Sequence, residues 1–340
     1  MPDQGTTKDT FALKYGEQPG LRFACVLDGR GGCFDLGWDQ LAGWTPQQGV
    51  LWVHLERDDD HAQRWVRERS GIDPIAAEAL LAEDTRPRID DYDDALLAVL
   101  RGINRGDEDR TLDLVPIHLW ADATRLISLR DRDHFLMALR HIREALVAGK
   151  GPKTVGELFT SIAEKLVAYL EPTIAELEDD ADDLDDTLLQ RDSHQCRQAL
   201  SEMRRQSINL RRYLAPQREA LFRLQVEDAT WLSKRDKIRL REVTDKVLRY
   251  IENLDAIRDR STILHEDLAA QIAEQQARSS NRLTMIAALL LPPSLVAGLL
   301  GSNVEGIPFH DHPWAFAIVI AVIAAMFPIE IWILRRLKWL

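Results

Sequence analysis

Leu283 to Val304 reads LTMIAALLLPPSLVAGLLGSNV, twenty-two residues without a charged side chain, and after a short polar segment a second apolar run extends from Trp314 to Leu334. A hydrocarbon core about 30 Å thick takes roughly 20 residues of helix, so each run is long enough to cross one. Pro292, Pro293 and Pro328 lie inside the runs. Proline breaks the ladder of an ordinary core helix but is tolerated in membrane spans. The pattern predicts two transmembrane helices, over 283–303 and 314–334, joined by an external loop over 304–313.

The flanks orient this hairpin. Arg278 and Arg282 precede the first run and Arg335, Arg336 and Lys338 follow the second, whereas the connecting VEGIPFHDHP contains no Lys or Arg. The positive-inside rule puts both ends of the hairpin in the cytoplasm, with Arg335, Arg336 and Lys338 as an inner basic ring. Trp314 at the outer end and Trp332 and Trp339 at the inner end fit interfacial aromatic belts. The polar start, MPDQGTTKDT, has no signal-peptide core. The large remainder is therefore expected to be cytosolic and the protein to sit in a bacterial inner membrane with both termini inside.

In 340 residues there is room for two or three domains. Mean hydropathy is −0.25 because the apolar excess is confined to the terminal block. A formal charge of −12 argues against a nucleic-acid partner, which needs a basic surface, and is compatible with collecting cations. Cys25, Cys33 and Cys196 have no zinc-finger spacing. Cys25 and Cys33 can meet across a turn, and buried free thiols are the preferred reading for a cytosolic domain.

Three regions follow from composition: a cytosolic α/β domain over 1–153, a helical hairpin with a long stalk helix over 154–282, and the transmembrane hairpin with its basic tail over 283–340. The fold class is thus an α+β membrane protein. Residues 1 to about 15 read as a disordered arm. From Leu21 to Ser128, β-type runs such as RFACVLD, VLWVHLE, ALLAVLRGIN, LVPIHLWAD and TRLISLR alternate with helical stretches, predicting a mixed sheet of five to seven strands. Glycine-rich nucleotide loops and the hydrolase elbow are absent, so an anchored enzyme finds no support. Asp90, Asp91, Asp93 and Asp94 could hold a hard cation, and a solvated turn before a strand is the plainer reading. His54 and His118, among apolar strand neighbours, read as core histidines with a hydrogen-bond partner.

Beyond Lys153, Leu158, Ile162, Leu166, Leu170, Ile174 and Leu177 recur at helical spacing and predict one amphipathic helix to about Leu189. Its far half, ELEDDADDLDD, holds eight carboxylates between Glu176 and Asp186. A solvated face is the plain reading; a loose reservoir for divalent cations, with Glu176, Asp179, Asp180 and Asp183 as candidate ligands, is the alternative. A basic helix over about 193–213 is expected to pack antiparallel against it. From Pro216 no proline or glycine occurs before Pro292, which predicts one rod over about 217–303.

Two spans cannot enclose a water-filled path, so a transporter of this kind requires several copies about an axis. Stepping along the first span by three or four places Leu283, Ala287, Leu291, Ser294 and Gly298 on one face, the candidate pore lining. Gly298 and Gly301 permit close helix approach. In the second span Glu330 is expected to snorkel to the inner interface or pair with Arg335 or Arg336, in preference to relaying protons.

Gly301-Ser302-Asn303 at the end of the first span, the short loop, the second span and the ending Arg335-Arg336-Leu337-Lys338-Trp339-Leu340 resemble the CorA superfamily of divalent-cation transporters, whose signature is Gly-Met-Asn. Glu83-Asp84-Thr85-Arg86-Pro87-Arg88, Leu100-Arg101-Gly102-Ile103-Asn104 and Gly306-Ile307-Pro308 look more like the ZntB zinc-transporter branch. The resemblance covers essentially the whole chain. It implies a homopentameric funnel in which Gly301, Ser302 and Asn303 form the selectivity motif at the external mouth, the Asn303 amide meeting a hydrated ion. Ser302 departs from the signature and bears on selectivity.

Around that mouth, Glu305, His310, Asp311 and His312 can attract a divalent ion. Imidazole with carboxylate suits Zn²⁺ while Mg²⁺ prefers oxygen alone, although a plain polar loop also contains such residues. The partners expected are a homopentamer, divalent metal ions and membrane lipid, with no cofactor beyond the transported ion. The branch implies Zn²⁺ uptake assisted by the proton gradient, extending to Cd²⁺, Ni²⁺ and Co²⁺. A passive Mg²⁺/Co²⁺ channel gated by cytosolic metal and a non-conducting, membrane-tethered metal sensor are the alternatives.

Overall fold

The computed structural model describes residues 19–83, 86–104, 114–187, 193–227, 229–301 and 313–336. The expected N-terminal arm lies outside them. The chain divides into two compact units, Met1–Leu264 and His265–Leu340.

The first unit begins with β1 (Leu21–Leu27), β2 (Cys33–Leu36), α1 (Trp38–Leu41), β3 (Val50–Glu56), α2 (Asp60–Glu68), α3 (Pro74–Leu81), β4 (Arg88–Tyr92), β5 (Ala95–Ile103), β6 (Leu114–Ala121), β7 (Arg125–Arg130) and α4 (Met137–Val147). The seven strands form one sheet in the order β2-β1-β3-β7-β6-β5-β4. Only β3 and β7 pair in parallel; the remaining neighbours are antiparallel. The expected mixed sheet is therefore present. The five apolar runs are its five inner strands, and the two strands without such a run, CFDL and RIDDY, are its edges. Edge strands face water along one side, and polar side chains there also discourage pairing with other chains. Asp90 and Asp91 accordingly belong to edge strand β4, not to a turn before a strand, and Asp93 supplies the positive φ of 56° in the β4–β5 connection.

Helices cover both faces. On one, Ala62 and Val66 of α2 and Ala76, Ala77 and Leu80 of α3 pack against Val26, Val53, Leu97 and Ile127. Asp59 and Asp73 cap these two helices by accepting from the first-turn amides of residues 61–62 and 75–76. Central strands buried on both sides read as unbroken apolar runs, as in ALLAVL of β5.

The helical region comprises α5 (Val155–Ala168), α6 (Glu171–Thr187), α7 (Ser193–Val226) and α8 (Lys234–Leu300). Two expectations are corrected here. The stripe from Leu158 to Leu177 spans two helices, not one. α5 closes through Tyr169 N–H to Lys165 O and Leu170 N–H to Val167 O, and Pro172, at the second position of α6, has no N–H to continue the ladder. Apolar periodicity survives the interruption because both helices bury the same stripe.

The second correction concerns the rod expected from residue 217. Pro216 is absorbed inside α7, and the break falls at residues 227–233, which contain neither proline nor glycine. Capping makes this corner. Ser233 Oγ accepts from Asp236 N–H at 3.2 Å while Asp236 Oδ2 accepts from Ser233 N–H at 3.1 Å, a reciprocal box that starts α8. Lys237 donates to Glu227 O at the end of α7, and Asp94 accepts from Thr230 N–H and Oγ1. The corner rests on α5 at Gly156, where a Cβ would lie 2.6 Å from Asp236 Oδ2 and 2.7 Å from Trp231 O. Only glycine allows that approach.

Charge pairing also differs from expectation. The carboxylates of α6 and α5 pair with α8: Glu171 with Lys246 at 2.6 Å, Asp182 with Arg260, and Glu164 with Arg239. α7 joins the same helix through Arg211 and Asp255 at 2.7 Å.

The second unit contains the distal part of α8 and α9 (Ala315–Arg336). Both are long and apolar enough to cross a membrane, and only 6% of each apolar window is buried within the chain.

Candidate functional site

On α8, the five positions predicted to line a pore, Leu283, Ala287, Leu291, Ser294 and Gly298, are all exposed. Leu283 and Leu291 expose 69% and 66% of their surface, and nothing lies within 4 Å of where a Gly298 Cβ would stand. Soluble helices do not leave such a row of leucines open, so this surface requires lipid or protein against it. Pro292 and Pro293 remain within the helix. Gly301 sits just past its end, donating its N–H to Ala297 O at 2.9 Å. Ser302 and Asn303 of the selectivity motif, and Glu305, His310, Asp311 and His312 of the predicted mouth, lie outside the described residues.

On α9, Arg335 and Arg336 are exposed at the C-terminal end, and Arg336 lies 5.4 Å from the Trp332 ring centroid. Lys338 lies outside the described residues. Of the two expectations for Glu330, snorkelling or pairing, the ion pair with Arg335 or Arg336 is not formed: both of its carboxylate oxygens are inaccessible and lack a hydrogen-bond partner among the described residues. Helical geometry explains this, because side chains meet at three- and four-residue spacing and the arginines stand five and six residues away.

Glu176, Asp179, Asp180 and Asp183 are exposed along α6, opposite the buried stripe Ile174, Leu177, Ala181 and Leu184. Asp180 and Asp183 border an open pocket of about 250 Å³ shared with Glu202, Met203 and Gln206 of α7. Among the described residues no group of three or more His, Cys, Asp or Glu is arranged to hold a metal ion.

Both strand histidines occupy the core, as expected. His54 Nε2 accepts from Arg130 Nε at 3.2 Å, so Nδ1 carries the proton and donates to Ser128 Oγ at 2.9 Å. Burial, with Arg130 and Arg22 nearby, pushes His54 well below the usual imidazole range. His118 Nδ1 donates to Leu80 O at 2.7 Å, and burial lowers its pKa to about 4. Both ring nitrogens of His54 are engaged, and among the described residues neither histidine belongs to a group arranged to hold a metal ion.

An α/β sheet unit followed by a long helix, whose apolar distal part and α9 are left uncovered by the chain, fits a membrane protein with paired spans. The chain belongs to the CorA-like Mg²⁺ transporter protein family, whose model matches residues 47–336. It is 36% identical over 337 residues to the divalent cation transporter CmaX of Pseudomonas aeruginosa, covering 97% of this chain and 99% of that one. The solved full-length CmaX structure superposes with a TM-score of 0.82, covering 96% of this chain and 100% of that one. The zinc transport protein ZntB of Pectobacterium carotovorum is 31% identical over 332 residues, 98% of this chain and 100% of that one. The CorA magnesium transporter of Methanocaldococcus jannaschii shares the fold at 18% identity, with a TM-score of 0.79 over 93% of this chain and 98% of that one. Divalent-cation transport is the activity of this family, which is one of ion transporters and not of enzymes.

Proposed function

We propose that the protein carries Zn²⁺ into the cytoplasm through a pore formed by five copies, assisted by the proton gradient, with Cd²⁺, Ni²⁺ and Co²⁺ as further cargo. The observation that carries this reading is near full-length similarity to proteins named for zinc transport, at 31% identity over 98% of the chain. The broader naming of CmaX is in keeping with a range of divalent ions. The exposed apolar row on α8 supports assembly around an axis, since a two-span monomer cannot surround an ion path. Leu283, Ala287, Leu291, Ser294 and Gly298 line that path, and Gly301, Ser302 and Asn303 shape its outer mouth.

A lining without charge passes a hydrated ion by weak contacts with hydroxyl and amide oxygens. Such contacts leave most of the ion's water in place and discriminate little among divalent ions. His310, Asp311, His312 and Glu305 then bias the entrance toward Zn²⁺ by ligand type and charge. The α6 carboxylates Glu176, Asp179, Asp180 and Asp183 form a low-affinity cation surface in the cytoplasm, and Arg335, Arg336 and Lys338 mark the inner interface. The unpaired Glu330 carboxylate is consistent with a chain that handles protons, while the coupling itself is supported only by the ZntB likeness.

The test is Zn²⁺ and Mg²⁺ entry into proteoliposomes containing the purified chain, with and without an acid-outside pH gradient. Gradient-stimulated Zn²⁺ entry that is largely lost in Asn303→Ala is the expected result. Mg²⁺ flux indifferent to pH would replace the proposal by a passive channel; flux of neither ion would leave a membrane-tethered sensor.

A further inference from the structure

Two cysteines that transport does not use meet on the outer hairpin of the sheet. In the β1–β2 register Cys25 stands opposite Asp35 and Cys33 opposite Leu27, so the cysteines are diagonal neighbours on one face. That places the two thiols side by side on the hairpin. Cys25 is fully buried, whereas Cys33, on the edge strand, is partly open. Arg143 of α4 closes the cluster, donating from Nη1 to Cys33 Sγ at 2.6 Å and from Nη2 to Asp35. It is held there by burial and by the Phe23 ring, 5.4 Å from its guanidinium carbon.

The groups facing Cys33 are thus Cys25 from β1, Asp35 from its own strand and Arg143 from α4. The neighbouring Cys25 thiol, followed by the Arg143 charge and hydrogen bond, outweighs burial and Asp35 and lowers the Cys33 pKa to about 7. The Cys33 thiol beside it, with burial, pushes the Cys25 thiol up. A buried guanidinium makes the cluster hostile to a cation, so two thiols beside it suit an electrophilic oxidant and not a metal. Cys196, buried in α7, has no such surroundings among the described residues.

We propose that Cys33 and Cys25 form a peroxide-reactive dithiol, Cys33 as the attacking sulfur and Cys25 as the resolving one. The Cys33 thiolate attacks one oxygen of hydrogen peroxide: an S–O bond forms, the O–O bond breaks, and hydroxide leaves to take a proton as water. Cys25 sulfur then attacks the Cys33 sulfenic acid. The S–S bond forms, the S–O bond breaks, and the Cys25 proton leaves with the hydroxyl as a second water. Two thiols and one peroxide yield one disulfide and two waters, the sulfurs oxidised and the peroxide oxygens reduced. Because the cysteines are diagonal across the ladder, closure bends the β1–β2 hairpin and leaves Arg143 to Asp35 alone.

The full-length protein in detergent is treated with hydrogen peroxide, and free thiols are counted by maleimide mass tagging with peptide mapping. Two thiols per chain are expected to disappear into a Cys25–Cys33 disulfide while Cys196 stays reduced. In Cys25→Ser, dimedone should trap a sulfenic acid on Cys33. Independently of any variant, the rate of Cys33 alkylation by iodoacetamide should rise with a midpoint at about pH 7. A midpoint at the ordinary thiol value of about 8.5, equal reactivity at Cys196, or accumulation of higher oxides on Cys33 without a disulfide would overturn the proposal.

Discussion

The sheet unit and the apolar helices solve opposite problems with the same residue types. In the sheet, leucines close on one another and polar groups find partners within the chain: Leu97 has no exposed surface, and Arg130 donates to His54, which donates to Ser128. Along α8 between residues 283 and 301, leucines face outward and no charged residue occurs. The first region buries its apolar surface within the chain; the second leaves its own exposed. What a substitution does should therefore depend on which side of that division it falls.

Leucine gives the largest contrast. Leu97→Ala opens a cavity where the sheet meets α2 and α3, and should lower stability by about 2–5 kcal/mol, the range for buried leucines. Leu290→Ala removes the same atoms from a side chain that is 50% exposed and should change stability by less than about 0.5 kcal/mol. Thermal unfolding of both variants in detergent, followed by circular dichroism, decides this. A comparable loss from both would mean that the apolar helices already bury one another as tightly as the core does.

The second contrast is titration. With a folded pKa of about 4, His118 stays neutral in the folded protein at pH values where an unfolded chain, titrating near 6.5, takes up a proton. Above about pH 6.5 both states are neutral and the group contributes no slope. As pH falls from 6.5 to 5 the unfolded state binds the proton first, so stability declines, by about 2 kcal/mol at 1.36 kcal/mol per unit. His54, shifted in the same direction, adds to the decline. His118→Asn, which keeps a donor for Leu80 O, should flatten the slope and leave the value at pH 8 little changed. An unaltered slope would assign the acid sensitivity elsewhere.

These contrasts also mark what could be read in advance. The spans, the inner strands and the buried histidines announce themselves by local composition, because a residue surrounded by lipid or core is apolar whatever its partner. Edge strands β2 and β4 do not, since half of each faces water and its residues look like loop. The α5–α6 interruption was hidden by a stripe that continues across Pro172. The corner before α8 carries a readable sign, Ser233 three residues ahead of Asp236, but no proline or glycine marks the break. Arg143 beside Cys33 lies 110 residues away in sequence and only folding brings them together.

That capping pair supplies the smallest and sharpest contrast. Ser233 Oγ accepts the Asp236 amide and donates to Asp236 Oδ2 at 2.6 Å, at a corner where Asp236 is almost fully buried. Ser233→Ala removes both bonds and should cost about 1 kcal/mol, the usual loss for an N-cap. Ser294 stands exposed on α8 and Ser294→Ala should leave the unfolding midpoint where it was. In proteoliposomes the order should reverse: Ser233→Ala, corrected for folded protein, transports like the parent, while Ser294→Ala changes the relative rates of Zn²⁺ and Mg²⁺. One hydroxyl then reports on folding and the other on the ion. If Ser294→Ala instead lowered stability and spared transport, that face of α8 would be packed against protein and could not line the path.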